Sequence, residues 1–103
     1  KEISVTELKR RMDAGDDVQV IDIRERNEYD YCNIGVQNIP MGELMTNLDQ
    51  VAQDKDVVLH CKTGGRSSSM VQALMARGYN NVINLTGGIY AWSYEIDSSI
   101  PKY

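Results

Sequence analysis

The sequence contains few cysteines: Cys32 and Cys61 are the only two among its 103 residues. Two cysteines are too few for the disulfide framework of a small secreted domain, and a chain of this length does not need one. We therefore expect a reducing compartment and predict a cytoplasmic location. In such a compartment a cysteine is usually a small buried side chain, so any reactivity has to come from its surroundings.

Long hydrophobic runs are absent as well. No apolar stretch approaches the roughly 18 residues that a membrane span requires, and Lys1-Glu2-Ile3-Ser4 lacks the basic and then hydrophobic pattern of a signal peptide. Only 2 prolines and 8 glycines accompany 42% hydrophobic and 25% charged residues, which is an ordinary globular composition. The sequence predicts a folded domain without a membrane partner.

An excess of basic residues is also missing. Eleven lysines and arginines stand against 15 acidic residues, which gives a formal net charge of -4. Binding to nucleic acid through counterion release needs a cationic surface. We therefore expect no nucleic-acid partner.

The length fits one compact domain with one core. The chain does not begin with methionine. We expect residues 1–103 to form a single domain excised from the C-terminus of a longer chain.

Strand and helix patterns alternate along the chain. A capping box at Ser4-Val5-Thr6-Glu7 predicts the start of a first helix, which Gly15 ends. Further helices are predicted over 43–51, 66–78 and 89–96, and strands over 18–23, 34–39, 56–61 and 81–85. This alternation implies a mainly parallel sheet covered by helices, in which binding sites lie at the carboxyl ends of strands. The rule singles out Cys61, because it follows the buried apolar run of a central strand.

The residues after Cys61 form an electropositive turn. Lys62-Thr63-Gly64-Gly65-Arg66 supplies two glycines, two cations and the start of a helix. Successive N–H groups in such a turn bind anions, and a helix N-terminus adds partial positive charge. Both lower the pKa of a cysteine from its usual value of about 8.5. We predict that Cys61 is a nucleophilic thiolate and that the same turn can hold a persulfide.

Four segments of the chain form a recognisable pattern. They are Ile21-Asp22-Ile23-Arg24-Glu25 with Glu28-Tyr29, His60-Cys61-Lys62-Thr63-Gly64-Gly65-Arg66-Ser67, Gly78-Tyr79 with Asn81-Val82, and Leu85-Thr86-Gly87-Gly88 with Ala91-Trp92. In this order and spacing they resemble the rhodanese family of sulfurtransferases. The resemblance implies an α/β fold with a mainly parallel five-stranded sheet and helices on both faces. It also implies that Cys61 carries sulfur as a persulfide within a loop of Lys62, Thr63, Gly64, Gly65, Arg66 and Ser67.

Loop length separates two chemistries on this fold. The cell-cycle dual-specificity phosphatases that share it have five residues between cysteine and arginine, a loop wide enough for a phosphate. Only four residues lie between Cys61 and Arg66, and a tighter cradle suits a single sulfur atom. Sulfur transfer by a ping-pong route is therefore favoured. A small phosphatase or arsenate reductase, and a binding module without turnover, remain alternatives.

One segment departs from the common rhodanese pattern. Many members have Gly-His-Ile-Pro-Gly-Ala where this chain has Cys32-Asn33-Ile34-Gly35-Val36, and the chain finishes with Ile96-Asp97 and then Ile100-Pro101-Lys102-Tyr103. Both features resemble the C-terminal rhodanese domain of the adenylyltransferase/sulfurtransferase proteins of molybdopterin and thiamine synthesis.

That resemblance implies a set of partners. An adenylating domain of the parent chain would activate the C-terminus of a ubiquitin-like sulfur carrier, which would receive sulfur from Cys61. The donor would be thiosulfate or a cysteine desulfurase persulfide. The ATP and zinc sites belong to the adenylating domain, so no cofactor is assigned to this chain. A general thiosulfate:cyanide sulfurtransferase is the alternative.

Several further side chains have two interpretations. Asp22 and Arg24 are expected to pair and to support the site. Ser67 either caps a helix or faces the pocket, and Lys62 either contacts an anionic donor or acidic carrier or is a solvated lysine. The turn Gly87-Gly88 forms either a pocket wall or a tight turn with Trp92 in the core.

The remaining cysteine and the single histidine are expected to be structural. Cys32 has neither a cation nor a helix start beside it, so burial is favoured over a disulfide with Cys61. His60 is expected to point to the opposite face from its neighbour Cys61 and to lie in the core. A zinc site formed by these three residues is rejected because their spacing fits no known ligand pattern.

Overall fold

Five short strands form the centre of the molecule, whose computed structural model describes all 103 residues. They are β1 (Glu2–Ile3), β2 (Gln19–Asp22), β3 (Gln37–Asn38), β4 (Val57–His60) and β5 (Val82–Leu85). Their spatial order is β1-β5-β4-β2-β3, and every neighbouring pair is parallel. The predicted α/β fold with a five-stranded sheet is confirmed, and β4 is its central strand.

Five α-helices and one 3-10 turn surround the sheet. They are α1 (Val5–Asp13), α2 (Arg26–Tyr31), α3 (Met41–Leu44), the 3-10 turn Leu48–Gln50, α4 (Gly65–Met75) and α5 (Gly88–Glu95). One core lies between the sheet and α1 and α5, where Leu8, Val58 and Trp92 are buried. A second core lies on the other face, where Leu59 packs with Met70 and other residues of α4. None of the helices is long and apolar enough to cross a bilayer.

The first helix begins where the sequence predicts. Ser4 accepts a hydrogen bond from the Glu7 N–H at 3.1 Å, which satisfies one of the free donors at the helix start. The Glu7 carboxylate turns instead to Arg10. Only one half of the expected capping box is therefore present.

The helix predicted over 43–51 is wrong. The structure has the short α3, which ends at Leu44, and then the separate 3-10 turn. Thr46 Oγ1 and Asn47 Nδ2 both donate to the Glu43 carbonyl, at 3.0 and 2.8 Å. These side chains compete with the backbone N–H groups that would continue the helix.

The hydrophobic pattern of the sequence did not predict the first strand, β1. β1 is only two residues long and is held by its parallel partner, with Asn84 donating to the Lys1 carbonyl at 3.0 Å and Thr86 to that of Ile3 at 2.9 Å. The register places Glu2 opposite Asn84. The pairing brings the first residues of the chain to the edge of the site.

Candidate active site

Cys61 lies where the central strand β4 gives way to α4. Gly64 has a φ of +105°, a conformation that favours glycine, and it turns the chain into the helix that begins at Gly65. This tight turn points the first backbone N–H groups of α4 back toward the sulfur. The Cys61 residue is 1% exposed, so its sulfur is almost closed to solvent in this conformation.

Hydrogen-bond donors surround the sulfur. The Gly64 N–H lies 3.2 Å from Cys61 Sγ, and the Ser67 N–H and hydroxyl oxygen each lie 3.4 Å from it. Burial alone raises the pKa of the Cys61 thiol. Hydrogen bonds from Ser67, Gly64 and Thr63 outweigh the burial, and the pKa lies below its ordinary value. The loop therefore favours a thiolate, as the sequence predicts, and the Ser67 hydroxyl faces the sulfur.

The second glycine turn, Gly87-Gly88, contacts the backbone of this loop. The Ile89 and Tyr90 N–H groups donate to the carbonyls of Cys61 and Lys62 at 3.0 and 2.9 Å. Gly88 has a φ of +57°, and a Cβ there would lie 2.5 Å from the Cys61 carbonyl oxygen. The turn thus contacts the loop backbone, and Trp92 lies in the core at 5% exposure.

Arg66 is held by a carboxylate. Its two Nη atoms donate to the Glu28 oxygens at 2.7 and 2.9 Å, and the Tyr103 hydroxyl donates to the same carboxylate at 2.8 Å. The hydrogen bonds from Arg66 lower the pKa of Glu28 to about 2. The guanidinium that the sequence places in the loop therefore has its charge balanced by Glu28, and it makes no hydrogen bond to Cys61.

Asp22 and Arg24 form the predicted pair. Both are fully buried, and Arg24 Nη2 donates to Asp22 Oδ2 at 2.7 Å. The guanidinium also donates to the Cys32 carbonyl at 2.7 Å and to the Tyr103 hydroxyl at 2.8 Å. Their support for the site is thus indirect, because Arg24 holds Tyr103, which contacts Glu28.

Tyrosines and lysines form the outer edge of the site. Lys62 Nζ lies 4.6 Å from the centre of the Tyr103 ring, and Lys102 Nζ lies 4.7 Å from that of Tyr94. The Tyr90 and Tyr94 rings are 5.1 Å apart, and both are exposed. We call these five residues the tyrosine rim. Lys62 has its ammonium on an aromatic face in this arrangement.

His60 and Cys32 are both buried, as expected. His60 is fully buried, its Nε2 lies 3.5 Å from Asp22 Oδ2 without a hydrogen bond, and burial lowers its pKa. Cys32 lies in the core on the α1 and α5 side, whereas Cys61 lies on the α4 side. The sheet separates the two cysteines.

Sequence reasoning missed two polar residues behind the sulfur. Asn84 Oδ1 lies 2.5 Å from Ser67 Oγ, and Asn84 Nδ2 donates to the Glu2 carboxylate oxygens at 3.1 and 3.2 Å. The sequence signal that could have indicated them is Asn84 itself, an asparagine inside the otherwise apolar strand β5. A buried amide needs hydrogen-bond partners. The link to Glu2 depends on β1, which the pattern did not reveal.

Comparison with known proteins agrees with this geometry. The family described as Rhodanese-like domain matches residues 4–95. A protein named "Sulfurtransferase" from Allochromatium vinosum is 36% identical over 93 residues, which cover 89% of this chain and 87% of that protein. "Probable adenylyltransferase/sulfurtransferase MoeZ" from Mycobacterium tuberculosis is 34% identical over 98% of this chain, but over only 26% of its own length.

Solved structures give the same result. A rhodanese-related protein from Thermoplasma volcanium superposes with a TM-score of 0.80 at 29% identity, covering 93% of each chain. Against several curated relatives, this chain spans only about a quarter to a half of their length. The match over 4–95, the near full-length relative and the shared fold together confirm the resemblance, and the chain belongs to the rhodanese-like domain family.

Proposed function

We propose that this chain is a sulfurtransferase that carries sulfane sulfur as a persulfide on Cys61. The observation that carries the proposal is the convergence of three donors within 3.4 Å of one buried sulfur. Such donors stabilise the thiolate before the reaction and negative charge on the outer sulfur after it. The relatives named sulfurtransferase or sulfur carrier support the same chemistry.

The first half of the reaction loads the cysteine. The Cys61 thiolate attacks the outer sulfur of the donor, which is thiosulfate or a cysteine desulfurase persulfide. The donor's S–S bond breaks, its electron pair leaves with sulfite or with the desulfurase thiolate, and a new S–S bond forms on Cys61. Because an S–S bond is about 2 Å long, the transferable sulfur lies that far beyond Cys61 Sγ.

The second half of the reaction unloads the sulfur. A simple nucleophile such as cyanide takes the outer sulfur directly, and the S–S bond's electron pair returns to Cys61 as a thiolate. An activated carboxylate is instead attacked by the outer sulfur and loses its leaving group. A thiolate then attacks Cys61 Sγ, the S–S bond breaks, its electron pair leaves with the thiocarboxylate, and the attacking thiol forms a disulfide with Cys61. A second thiol reduces this disulfide and regenerates Cys61. Cys32 lies on the other side of the sheet, so the attacking thiol comes from outside residues 1–103.

We propose that the acceptor is the C-terminus of a ubiquitin-like sulfur carrier. An adenylating domain of the parent chain would activate that C-terminus. Relatives named adenylyltransferase and sulfurtransferase support this assignment. The tyrosine rim supports a protein acceptor too, because exposed aromatic residues are enriched where proteins bind one another. Lys62 of the rim directly follows Cys61 in the chain, so a flexible C-terminal tail bound at the rim would lie near the sulfur.

Two cysteine variants test the proposal. Cys61→Ser should abolish formation of thiocyanate from thiosulfate and cyanide, whereas Cys32→Ser should retain most of it. Mass spectrometry should find one added sulfur atom on Cys61 after exposure to a sulfur donor. Hydrolysis of an aryl phosphate without formation of any persulfide would instead identify a phosphatase. If the protein catalyses neither reaction, it is a binding module.

A further inference from the structure

The Ser67 hydroxyl has more acceptors than it has protons. Its oxygen lies 2.5 Å from Asn84 Oδ1, 3.4 Å from Cys61 Sγ and 3.4 Å from the Gly64 carbonyl oxygen. A serine hydroxyl donates one hydrogen bond at a time. The acceptor at 2.5 Å is at much the shortest distance, so Asn84 Oδ1 competes strongly with the sulfur for this proton.

The orientation of the Asn84 amide is fixed by its other partner. Asn84 Nδ2 faces both oxygens of the Glu2 carboxylate, which also accepts from Thr86 Oγ1 at 2.7 Å. A carboxylate accepts and does not donate, so the amide nitrogen must face Glu2 and the amide oxygen must face Ser67. The parallel register of β1 and β5 places Glu2 opposite Asn84. Backbone pairing thus maintains the arrangement.

We infer that Asn84 is a positioning residue for Cys61, because it competes with the sulfur for the single proton of the Ser67 hydroxyl. When Cys61 is a bare thiolate, the hydroxyl turns toward the sulfur. When Cys61 carries a second sulfur, its Sγ is a poor acceptor and the hydroxyl turns back to Asn84. Only rotation about the Ser67 Cβ–Oγ bond is needed, and no covalent bond changes.

This competition affects reactivity. A thiolate that is stabilised more strongly is a weaker nucleophile, since nucleophilicity falls as the thiol pKa falls. Asn84 limits how far Ser67 stabilises the thiolate. Removing the Asn84 acceptor should release the hydroxyl to the sulfur and lower the pKa of Cys61 further.

The test measures the pKa of Cys61 directly, from the pH dependence of its alkylation by iodoacetamide in a Cys32→Ser background. Asn84→Leu removes the acceptor while filling its space, and it should lower the Cys61 pKa by about half a unit, about a threefold change in the ionisation constant. Ser67→Ala should raise the pKa. In the Ser67→Ala background, Asn84→Leu should not change the Cys61 pKa further, because the hydroxyl proton for which Asn84 and Cys61 compete has been removed.

A matched control and a second variant complete the experiment. Asn81→Ala removes an amide at the opposite end of β5 that holds the carbonyls of Ala52 and Lys55, and it should leave the Cys61 pKa unchanged. Should Asn84→Leu fail to fold, Glu2→Ala at the exposed edge frees the Asn84 amide and should lower the pKa by a smaller amount.

Two results would overturn the inference: a Cys61 pKa that stays constant or rises in the folded Asn84 variant, or a shift that persists when Ser67 is alanine. The second would mean that Asn84 acts through its packing near Gly64. The inference builds on the proposed role of Cys61. Alkylation needs only a thiolate, so its outcome is independent of whether Cys61 transfers sulfur.

Discussion

Replacing Glu28 by glutamine tests the charged cluster beside the site. The Glu28 carboxylate accepts two hydrogen bonds from Arg66, one from Tyr103 and one from the Glu25 N–H at 3.1 Å. Glutamine preserves the shape of the side chain but removes its charge and one acceptor oxygen. Arg66 is then left without a compensating charge.

The expected loss of stability follows from the burial of the pair. A hydrogen bond to a charged group contributes about 1.5–3 kcal/mol when buried, whereas an exposed ion pair contributes about 0.2–1 kcal/mol. The side chains of Glu28 and Arg66 are 17% and 39% exposed, so the cluster lies between these limits. We expect Glu28→Gln to lower the free energy of unfolding by about 2 kcal/mol at neutral pH. For a domain of this size the midpoint of thermal unfolding should fall by roughly 10 °C.

The loss should depend on pH in a defined way. The pKa of Glu28 is about 2 in the folded protein, against an ordinary value of 4.5. A lowered carboxyl pKa stabilises the fold fully above the unfolded value, and this contribution disappears as pH falls from 4.5 toward 2. Urea unfolding at neutral pH and at several acidic values should therefore show the two proteins converging in stability.

A control pair shows whether the effect belongs to this cluster. Glu43 pairs with Arg26 on the surface, and both side chains are more than half exposed, at 52% and 60%. Glu43→Gln should change the free energy of unfolding by less than about 0.5 kcal/mol. A Glu28→Gln variant as stable as this control, or one whose deficit is the same at every pH, would refute the reasoning.

Two further predictions concern the loop and its outer edge. Gly88→Ala places a Cβ 2.5 Å from the Cys61 carbonyl oxygen at a positive φ, so the rate of thiocyanate formation should fall at least about tenfold. Gly42→Ala meets no atom within 4 Å and should keep the full rate; equal rates in the two variants would contradict this role of the turn. Tyr94→Ala should raise the KM for a ubiquitin-like sulfur carrier at least about threefold while leaving cyanide kinetics unchanged. An equal change for both acceptors would exclude the tyrosine rim as a docking surface.

Local patterns account for the parts of the site that are contiguous in sequence. The apolar strand β4, the glycine turn and the start of α4 follow one another directly, so hydrophobic pattern and turn chemistry place Cys61 at a strand end inside a nest of amides. Strand alternation predicts that His60 points to the face opposite Cys61, and a parallel sheet covered on both faces predicts its burial. These inferences need no knowledge of the tertiary structure.

Long-range pairing accounts for what the sequence did not reveal. Asn84 and Glu2 are 82 positions apart, and they meet only because the two-residue strand β1 adds to β5. The sequence predicts Arg66 as a cation of the loop, but it does not reveal the partner of its guanidinium, which is Glu28 from α2, 38 positions away. The failed helix over 43–51 had the right hydrophobic spacing, but side-chain hydrogen bonds from Thr46 and Asn47 interrupt it. Register and competition between polar groups are tertiary properties that periodicity does not encode.

The distribution of the site along the chain has a consequence for biosynthesis. Cys61 is synthesised before Gly88 and Tyr103, and contacts between distant segments form late because closing long loops costs entropy. Until then the pKa of its thiol is that of an ordinary cysteine, because the donors of the folded loop are not yet arranged around the sulfur. The stabilised and buried thiolate is therefore confined to molecules that have finished folding.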